Sequence, residues 1–375
     1  MSSQQRKAET LPPIRIPWAR PPVGAAEAEA AREAIADTAL SMGRRAQAFE
    51  AGMASYAGRS HALAVSNGTD ALEVAFRLVG LKAGDEVLVS SLSYIATVIC
   101  IVRIGAIPVF CDVVPESLNI DPESIAENIT GRTRAIIVAD YCGFSVDYGR
   151  IEPICRAHGL QLIVDGAQSI GTFFDGRSAL GYGTVATTSF HSAKIMTTGE
   201  GGMVFFDDHT MLEPALRMRG QGEIPGRKYI HDTLGFNHRL TDFQAAIGLV
   251  QLEKLPALCA ARARLAARYY TNFSGTPVSL PSPLPRSVPA WFSIAILIDN
   301  RDRVADGLRM SGVETRSLYP IPTYRQPIPE YPRDVREYPN AERASSHVLN
   351  LPLFHDLSDA EVDEVTELVL GLIDS

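Results

Sequence analysis

The sequence predicts an α/β fold, with a large, mostly parallel three-layer α/β/α domain and a smaller C-terminal α/β domain. Two observations carry this. Short β-type runs alternate with helical segments between residues 61 and 206, and strands linked through helices pair in parallel and are covered on both faces. Near Leu240 the pattern changes to long helical stretches and a proline-rich break over residues 277–289. The expected division is an arm over residues 1–20, a large domain over 21–254 and a small domain over 255–375.

Residues 1–20 are polar and proline-containing, which reads as an extended arm. An alanine-rich helix follows from Glu27 to about Ala39. His61–Val65 reads as a strand and Thr69–Leu78 as the helix behind it, with Ser66, Asn67 and Gly68 as the turn. The alternation continues with a strand at Glu86–Ser90, a helix at Tyr94–Ile104 and a strand at Ile107–Asp112. Next come a short helix at Pro122–Asn128, a strand at Ala135–Ala139, a helix at Gly149–His158, and strands at Gln161–Asp165 and Gly202–Phe206. Beyond Leu240, helices are expected at Asp242–Leu252 and Leu255–Phe273. A strand at Trp291–Ile298 and helices at Arg301–Ser311 and Asp359–Ile373 complete the set.

The chain has 375 residues, 46% hydrophobic and 21% charged, with a formal net charge of −8. That balance suits a globular enzyme and argues against a nonspecific nucleic-acid binder. Cys100, Cys111, Cys142, Cys155 and Cys259 are scattered and form no CxxC pair, which points to reduced thiols in a cytoplasmic protein. The N-terminus has no apolar signal-like run, and no stretch approaches the roughly 20 apolar residues that span a bilayer. No membrane or nucleic-acid partner is expected.

Chemistry is concentrated at the ends of the expected strands, where sheet enzymes of this type bind ligands. Lys194 lies in the run Ser189 to Gly202, between small hydroxyl residues and a glycine-rich turn. A partly desolvated lysine there can lose its proton and form an imine with a carbonyl. Gly68 and Thr69 open a helix whose first amides could cup an anion, with Ser189 completing the cup; the same block also describes a plain capped turn. Asp165 ends an apolar run, and a buried carboxylate there needs a positive partner such as a protonated pyridine nitrogen, or else caps the next helix. Gln168 could hydrogen-bond the phenolic oxygen of such a ring. Tyr94 is either a stacking aromatic or a core residue. Together these are the parts of a pyridoxal phosphate site.

Several blocks then fit a known pattern in order: residues 66–72, 93–97, 165–168, 189–202, 235–248, 317–322 and 349–353. From about Ile16 onward the sequence resembles the nucleotide-sugar aminotransferases of the DegT type, which are fold-type I pyridoxal phosphate enzymes. The resemblance implies that Lys194 is the Schiff-base lysine, Asp165 the pyridine-nitrogen partner and Gln168 the phenolate contact. Tyr94 is implied to stack on the cofactor, and Gly68, Thr69 and Ser189 to hold its phosphate. A homodimer with shared active sites is implied, Asn237 and Arg239 reaching the neighbouring subunit. Tyr319 and Tyr324 are the expected substrate contacts. Tyr324 and Arg219 stand where the family often has histidine, and both are expected near the acceptor pocket.

A lysine at position 194, where a dehydrating subset has histidine, implies amino transfer, with pyridoxamine phosphate as the intermediate cofactor form. The expected donor is L-glutamate or L-glutamine. The expected acceptor is a nucleotide-linked 3- or 4-keto-6-deoxyhexose, with a cyclitol ketone of the scyllo-inosose type as the alternative. A non-catalytic regulator that binds cofactor or sugar is the alternative of another class; the intact lysine, aspartate and glutamine argue against it.

Overall fold

The computed structural model describes residues 12–38, 40–331, 334 and 336–373. Its strands in chain order are β1 (His61–Val65), β2 (Glu86–Ser90), β3 (Ile107–Cys111), β4 (Thr133–Ala139), β5 (Gln161–Asp165), β6 (Phe173–Phe174), β7 (Arg177–Ser178), β8 (Val185–Ser189), β9 (Gly202–Phe206), β10 (Ser287–Val288), β11 (Ile294–Leu297) and β12 (Val348–Leu351). The helices are α1 (Ala25–Ala36), α2 (Arg44–Ala57), α3 (Gly68–Leu78), α4 (Ile95–Arg103), α5 (Pro122–Glu127), α6 (Tyr148–His158), α7 (Leu212–Arg219), α8 (Asp242–Asn272), α9 (Arg301–Met310), α10 (Pro339–His347) and α11 (Asp359–Ile373).

Seven strands form one sheet in the order β1-β9-β8-β5-β4-β2-β3. The pairings are parallel except where β9 inserts antiparallel between β1 and β8. Side chains alternate across the sheet because a strand has a period of two. Val89, Ile137, Ile163 and Val185 enter the core beneath α3 and α4. Their neighbours Leu88, Ile136, Val164 and Ala186 enter the opposite core, with Phe49 of α2 and Ile151 of α6. That parity decides where Asp165 goes: it shares a face with Ile163 and meets α4.

Parallel register lines up Ala139, Asp165 and Thr187 at the carboxyl ends of β4, β5 and β8. The antiparallel β9 starts beside these ends, its Gly202 opposite both Val65 and Ser189. One antiparallel strand therefore draws the turn after β1 and the turn after β8 together.

A third core gathers β11, β12, α9, α11 and the far half of α8. The arm is stitched to this part, with Arg15 and Ile16 amides donating to the Gly312 carbonyl and the Glu314 amide to that of Ile16. Residues 1–11 of the expected arm and Ala39 of the expected first helix lie outside the described residues.

Several expectations change in detail. The helices expected at 242–252 and 255–273 are a single helix of 31 residues that runs through Pro256 and across the 254/255 division. A proline removes one donor there, but Leu255 and Leu258 on either side of it are buried and hold the helix. The strand expected at 291–298 shortens to β11. Sequence reading missed α2, α7, α10, β8 and β12. The strand β8 reads Val-Ala-Thr-Thr-Ser and is buried throughout, so it shows neither alternation nor a long apolar run.

Candidate active site

A cavity of about 720 Å³ opens at the carboxyl ends of β4, β5 and β8. Gly68, Thr69, Tyr94, Asp165, Gln168, Ser189, Lys194 and Tyr319, all singled out from the sequence, line it. Asn237 and Arg239 are exposed and do not line it. Tyr324 does not line it either: its ring packs on Phe110 and Tyr338, with centroids 5.9 and 4.8 Å away, and its hydroxyl bonds Glu342. Arg219 is buried on Glu50 and the Ala64 carbonyl. The expectation that these two departures border the acceptor pocket is corrected, because one fills a core and the other braces α2 against β1.

Lys194 is delivered by a loop whose ends are tied. The Phe190 and Gly201 backbones bond at 2.8 Å, and the Lys194 amide donates to the His191 carbonyl at 2.9 Å. His191 Nδ1 accepts the Ala193 amide at 3.2 Å. Ile195 and Met196 are buried just beyond, so the chain turns inward there and leaves the lysine at the cavity. Its Nζ lies 4.8 Å from the centre of the Phe292 ring. Burial pushes the amine's pKa down to about 8, and the Asp165 charge opposes that only in part. In the cofactor-free protein, Lys194 should become reactive toward trinitrobenzenesulfonate with a midpoint near pH 8, against about 10.4 for a solvated lysine. Peptide mapping across a pH series checks this, and a midpoint at the solvated value would refute it.

Asp165 closes the opposite side. It is 7% exposed, and its Oδ2 accepts the Thr97 hydroxyl at 2.8 Å while Oδ1 accepts the Ala167 amide at 3.2 Å. Ser93 Oγ donates to Thr97 Oγ1 at 3.0 Å and orients it. Burial raises the carboxyl's pKa, while Thr97, the Ala167 amide and Lys194 pull it down. No cation lies within 4 Å of it among the described residues. A buried carboxylate facing a cavity without a paired cation fits a ligand that brings its own positive charge.

The anion cup forms where α3 begins. Asn67 caps the helix by accepting the Asp70 amide at 2.8 Å, which leaves the Gly68 and Thr69 amides without intrahelical partners. A Cβ on Gly68 would sit 2.9 Å from that of Ser189, so the cup closes only around glycine. Asp70 is hydrogen-bonded locally by His238 Nδ1 at 3.1 Å and by donors from Ser66 and Asn67. Gly202 presses on the same turn: its Cβ would meet the Asn67 carbonyl oxygen at 2.3 Å. Gly202→Ala is expected to push the cup outward, costing about 1–3 kcal/mol of stability and weakening cofactor binding, as thermal melts and cofactor titration would read.

The lysine, the unpaired aspartate and the anion cup converge on one cavity, and these residues fit pyridoxal phosphate. Sequence reading missed Thr97, Trp18, Asp140, Tyr141 and Phe292 in the lining or its support. Thr97 had a signal, as a hydroxyl residue in the first turn of the helix that follows Tyr94. Trp18 and Phe292 come from the arm and the C-terminal part, and nothing local marks them.

Comparison with known proteins shows the family. The profile of the DegT/DnrJ/EryC1/StrS aminotransferase family matches residues 22–370. The chain is 35% identical to a GDP-perosamine synthase of Caulobacter vibrioides, over 94% of this chain and 96% of that one. It is 32% identical to a GDP-perosamine synthase of Vibrio cholerae, over 88% and 91%. Among solved structures, the aminotransferase TlmJ from Streptoalloteichus hindustanus superposes with a TM-score of 0.91 at 33% identity, covering 96% of this chain and 99% of that one. The chain belongs to the DegT/DnrJ/EryC1/StrS aminotransferase family.

Proposed function

We propose that this pyridoxal phosphate-dependent aminotransferase moves an amino group from L-glutamate or L-glutamine to the ketone of a nucleotide-linked 3- or 4-keto-6-deoxyhexose. The observation that carries the chemistry is the convergence of Lys194 and Asp165 on one cavity. The names of the two relatives, a nucleoside diphosphate joined to an amino sugar, support a GDP-linked ketone as the first acceptor to try. They favour it over a cyclitol ketone.

When bound, pyridoxal phosphate supplies a carbon that takes up and surrenders the amino group, and a cationic ring that draws electrons from the carbon losing its proton. In this reading Lys194 anchors the cofactor through Nζ. Once released, the same amine, poised near neutrality by burial, takes the proton from the donor's α-carbon. In the second half-reaction it delivers a proton to the sugar carbon that gains nitrogen. Asp165 would hold the ring nitrogen protonated, Gln168 would bond the phenolic oxygen, and Tyr94 would cover a ring face. The Gly68 and Thr69 amides and the Ser189 hydroxyl take the phosphate.

The charge balance of the cavity supports a homodimer. Asp70, Asp140, Asp165 and Glu200 line it against Lys194, with no arginine among the described lining residues. Anionic substrates call for imported positive charge. Exposed Asn237 and Arg239 are suited to supply it to a neighbouring subunit, from a segment that His238 fastens to Asp70. The free cysteines fit a reducing, cytoplasmic setting. No helix among the described residues is long and apolar enough to cross a membrane.

The test uses purified protein loaded with pyridoxal phosphate. Glutamate or glutamine should bleach the yellow band, and a GDP-linked keto-deoxyhexose should restore it with an amino sugar as product. Borohydride reduction should leave a pyridoxyl group on the Lys194 peptide. Amination of scyllo-inosose alone would overturn the acceptor assignment, and an untagged Lys194 peptide would overturn the site.

A further inference from the structure

The run from Phe190 to Gly201 closes on itself where the Phe190 amide donates to the Gly201 carbonyl at 2.8 Å. His191 and Glu200 are the next residues inward, one on each side of that closure, and both line the cavity. Each backbone is held separately. The His191 amide donates to Ser189 Oγ at 3.3 Å, and the Glu200 carbonyl accepts Thr198 Oγ1 at 2.7 Å and Gln244 Nε2 at 2.8 Å. The histidine ring is oriented as well. A backbone N–H can only donate, so Nδ1 accepts the Ala193 amide and the ring's proton sits on Nε2. That nitrogen lies 3.9 Å from Glu200 Oε1, too far for a hydrogen bond. Among the described residues neither Nε2 nor the Glu200 carboxylate has a hydrogen-bond partner.

We propose that His191 and Glu200 form a two-point clamp for one hydroxyl of the acceptor, which accepts from Nε2 and donates to the carboxylate. This rests on reading the site as that of a keto-sugar aminotransferase. An oxygen about 2.8 Å from each of two atoms 3.9 Å apart meets them at about 90°, near the tetrahedral spread of a hydroxyl's proton and lone pairs. Charge selects the same group. A carboxylate or phosphate oxygen between them would meet the Glu200 charge, and an ammonium would meet the Nε2 proton. A hydroxyl is donor and acceptor at one atom and satisfies both. Glutamate and glutamine carry no hydroxyl, so the clamp belongs to the sugar nucleotide, whose hexose and ribose both offer one.

The test measures kcat/KM of the pyridoxal phosphate-loaded enzyme for a GDP-linked keto-deoxyhexose. It repeats this for analogues that each lack one hydroxyl, on the hexose in one set and on the ribose in the other. In the wild type one analogue should lose about 10- to 100-fold, because its missing hydroxyl gives up a bond to a charged group. His191→Asn sets a carbonyl oxygen where Nδ1 stands, for the Ala193 amide, but has no donor at Nε2. Glu200→Ala removes an exposed carboxylate and keeps the carbonyl that Gln244 bonds. Each variant should lose about tenfold or more on the parent ketone, yet discriminate that one analogue by less than about threefold, since a bond already lost cannot be lost twice. The set that contains the sensitive analogue tells whether the hexose or the ribose is clamped. Absence of any sensitive analogue, or losses that multiply in both variants, would sink the clamp. A wild-type enzyme that aminates no sugar, hydroxyl present or not, would instead defeat the keto-sugar reading itself.

Discussion

Lys194→Ala is expected to abolish multiple turnover, a loss on the order of 10⁴-fold or more, while some noncovalent cofactor binding survives. The loss is large because one atom carries two roles, covalent anchor and proton carrier, and alanine supplies neither. The cup at Gly68, Thr69 and Ser189 and the carboxylate of Asp165 do not depend on that side chain and remain to hold the cofactor. Stability of the cofactor-free protein should move the other way. Burial lowers the folded-state pKa of Lys194 to about 8, below the unfolded value of about 10.4. Below pH 8 both states are protonated, and the folded state bears the full cost of a desolvated cation. Between pH 8 and about 10.4 the unfolded state holds more protons, so wild-type stability rises with pH. The alanine variant should lack that rise and melt no lower than wild type at pH 7. Normal multiple turnover by the variant would mean that the nucleophile is misassigned.

Legibility in the sequence followed how local each signal was. Asp165 could be read because a single acidic residue ends an apolar run, and the parity of that run also fixed which face it joined. Gly68 could be read because a close approach demands glycine, and Ser189 is the group it approaches. The long helix α8 was expected as two, whereas buried residues on both sides of Pro256 carry it through as one. Trp18 and Phe292 were invisible for the converse reason. Each is an unremarkable aromatic in its own segment, and the two meet edge-on at 5.7 Å only after the arm docks. Tyr324 shows the limit of arguing from position in a motif: it follows the Tyr-Pro-Ile-Pro block, yet its ring is taken up by Phe110 and Tyr338.

Asp165→Asn should separate charge from shape at the other end of the cavity. Asparagine has the same outline, and its carbonyl oxygen can still accept from Thr97 or the Ala167 amide, which now donate to the carboxylate at 2.8 and 3.2 Å. What disappears is the negative charge. Without it a ring nitrogen in the cavity is no longer favoured in its protonated form, and the ring becomes a poorer electron sink. Turnover should fall by about 10²- to 10³-fold, with cofactor affinity reduced about tenfold. The cofactor-free variant should be at least as stable as wild type at neutral pH. Burial raises the folded-state pKa of Asp165 above its unfolded value, so its ionised form weakens the fold above that pKa and the cost vanishes as pH falls below the unfolded pKa. Loss of catalysis together with undiminished apo stability is a signature that a purely structural carboxylate cannot produce. An asparagine variant with wild-type turnover would show that hydrogen-bonding shape alone is enough, and the role of Asp165 as the ring's counter-charge would have to be given up.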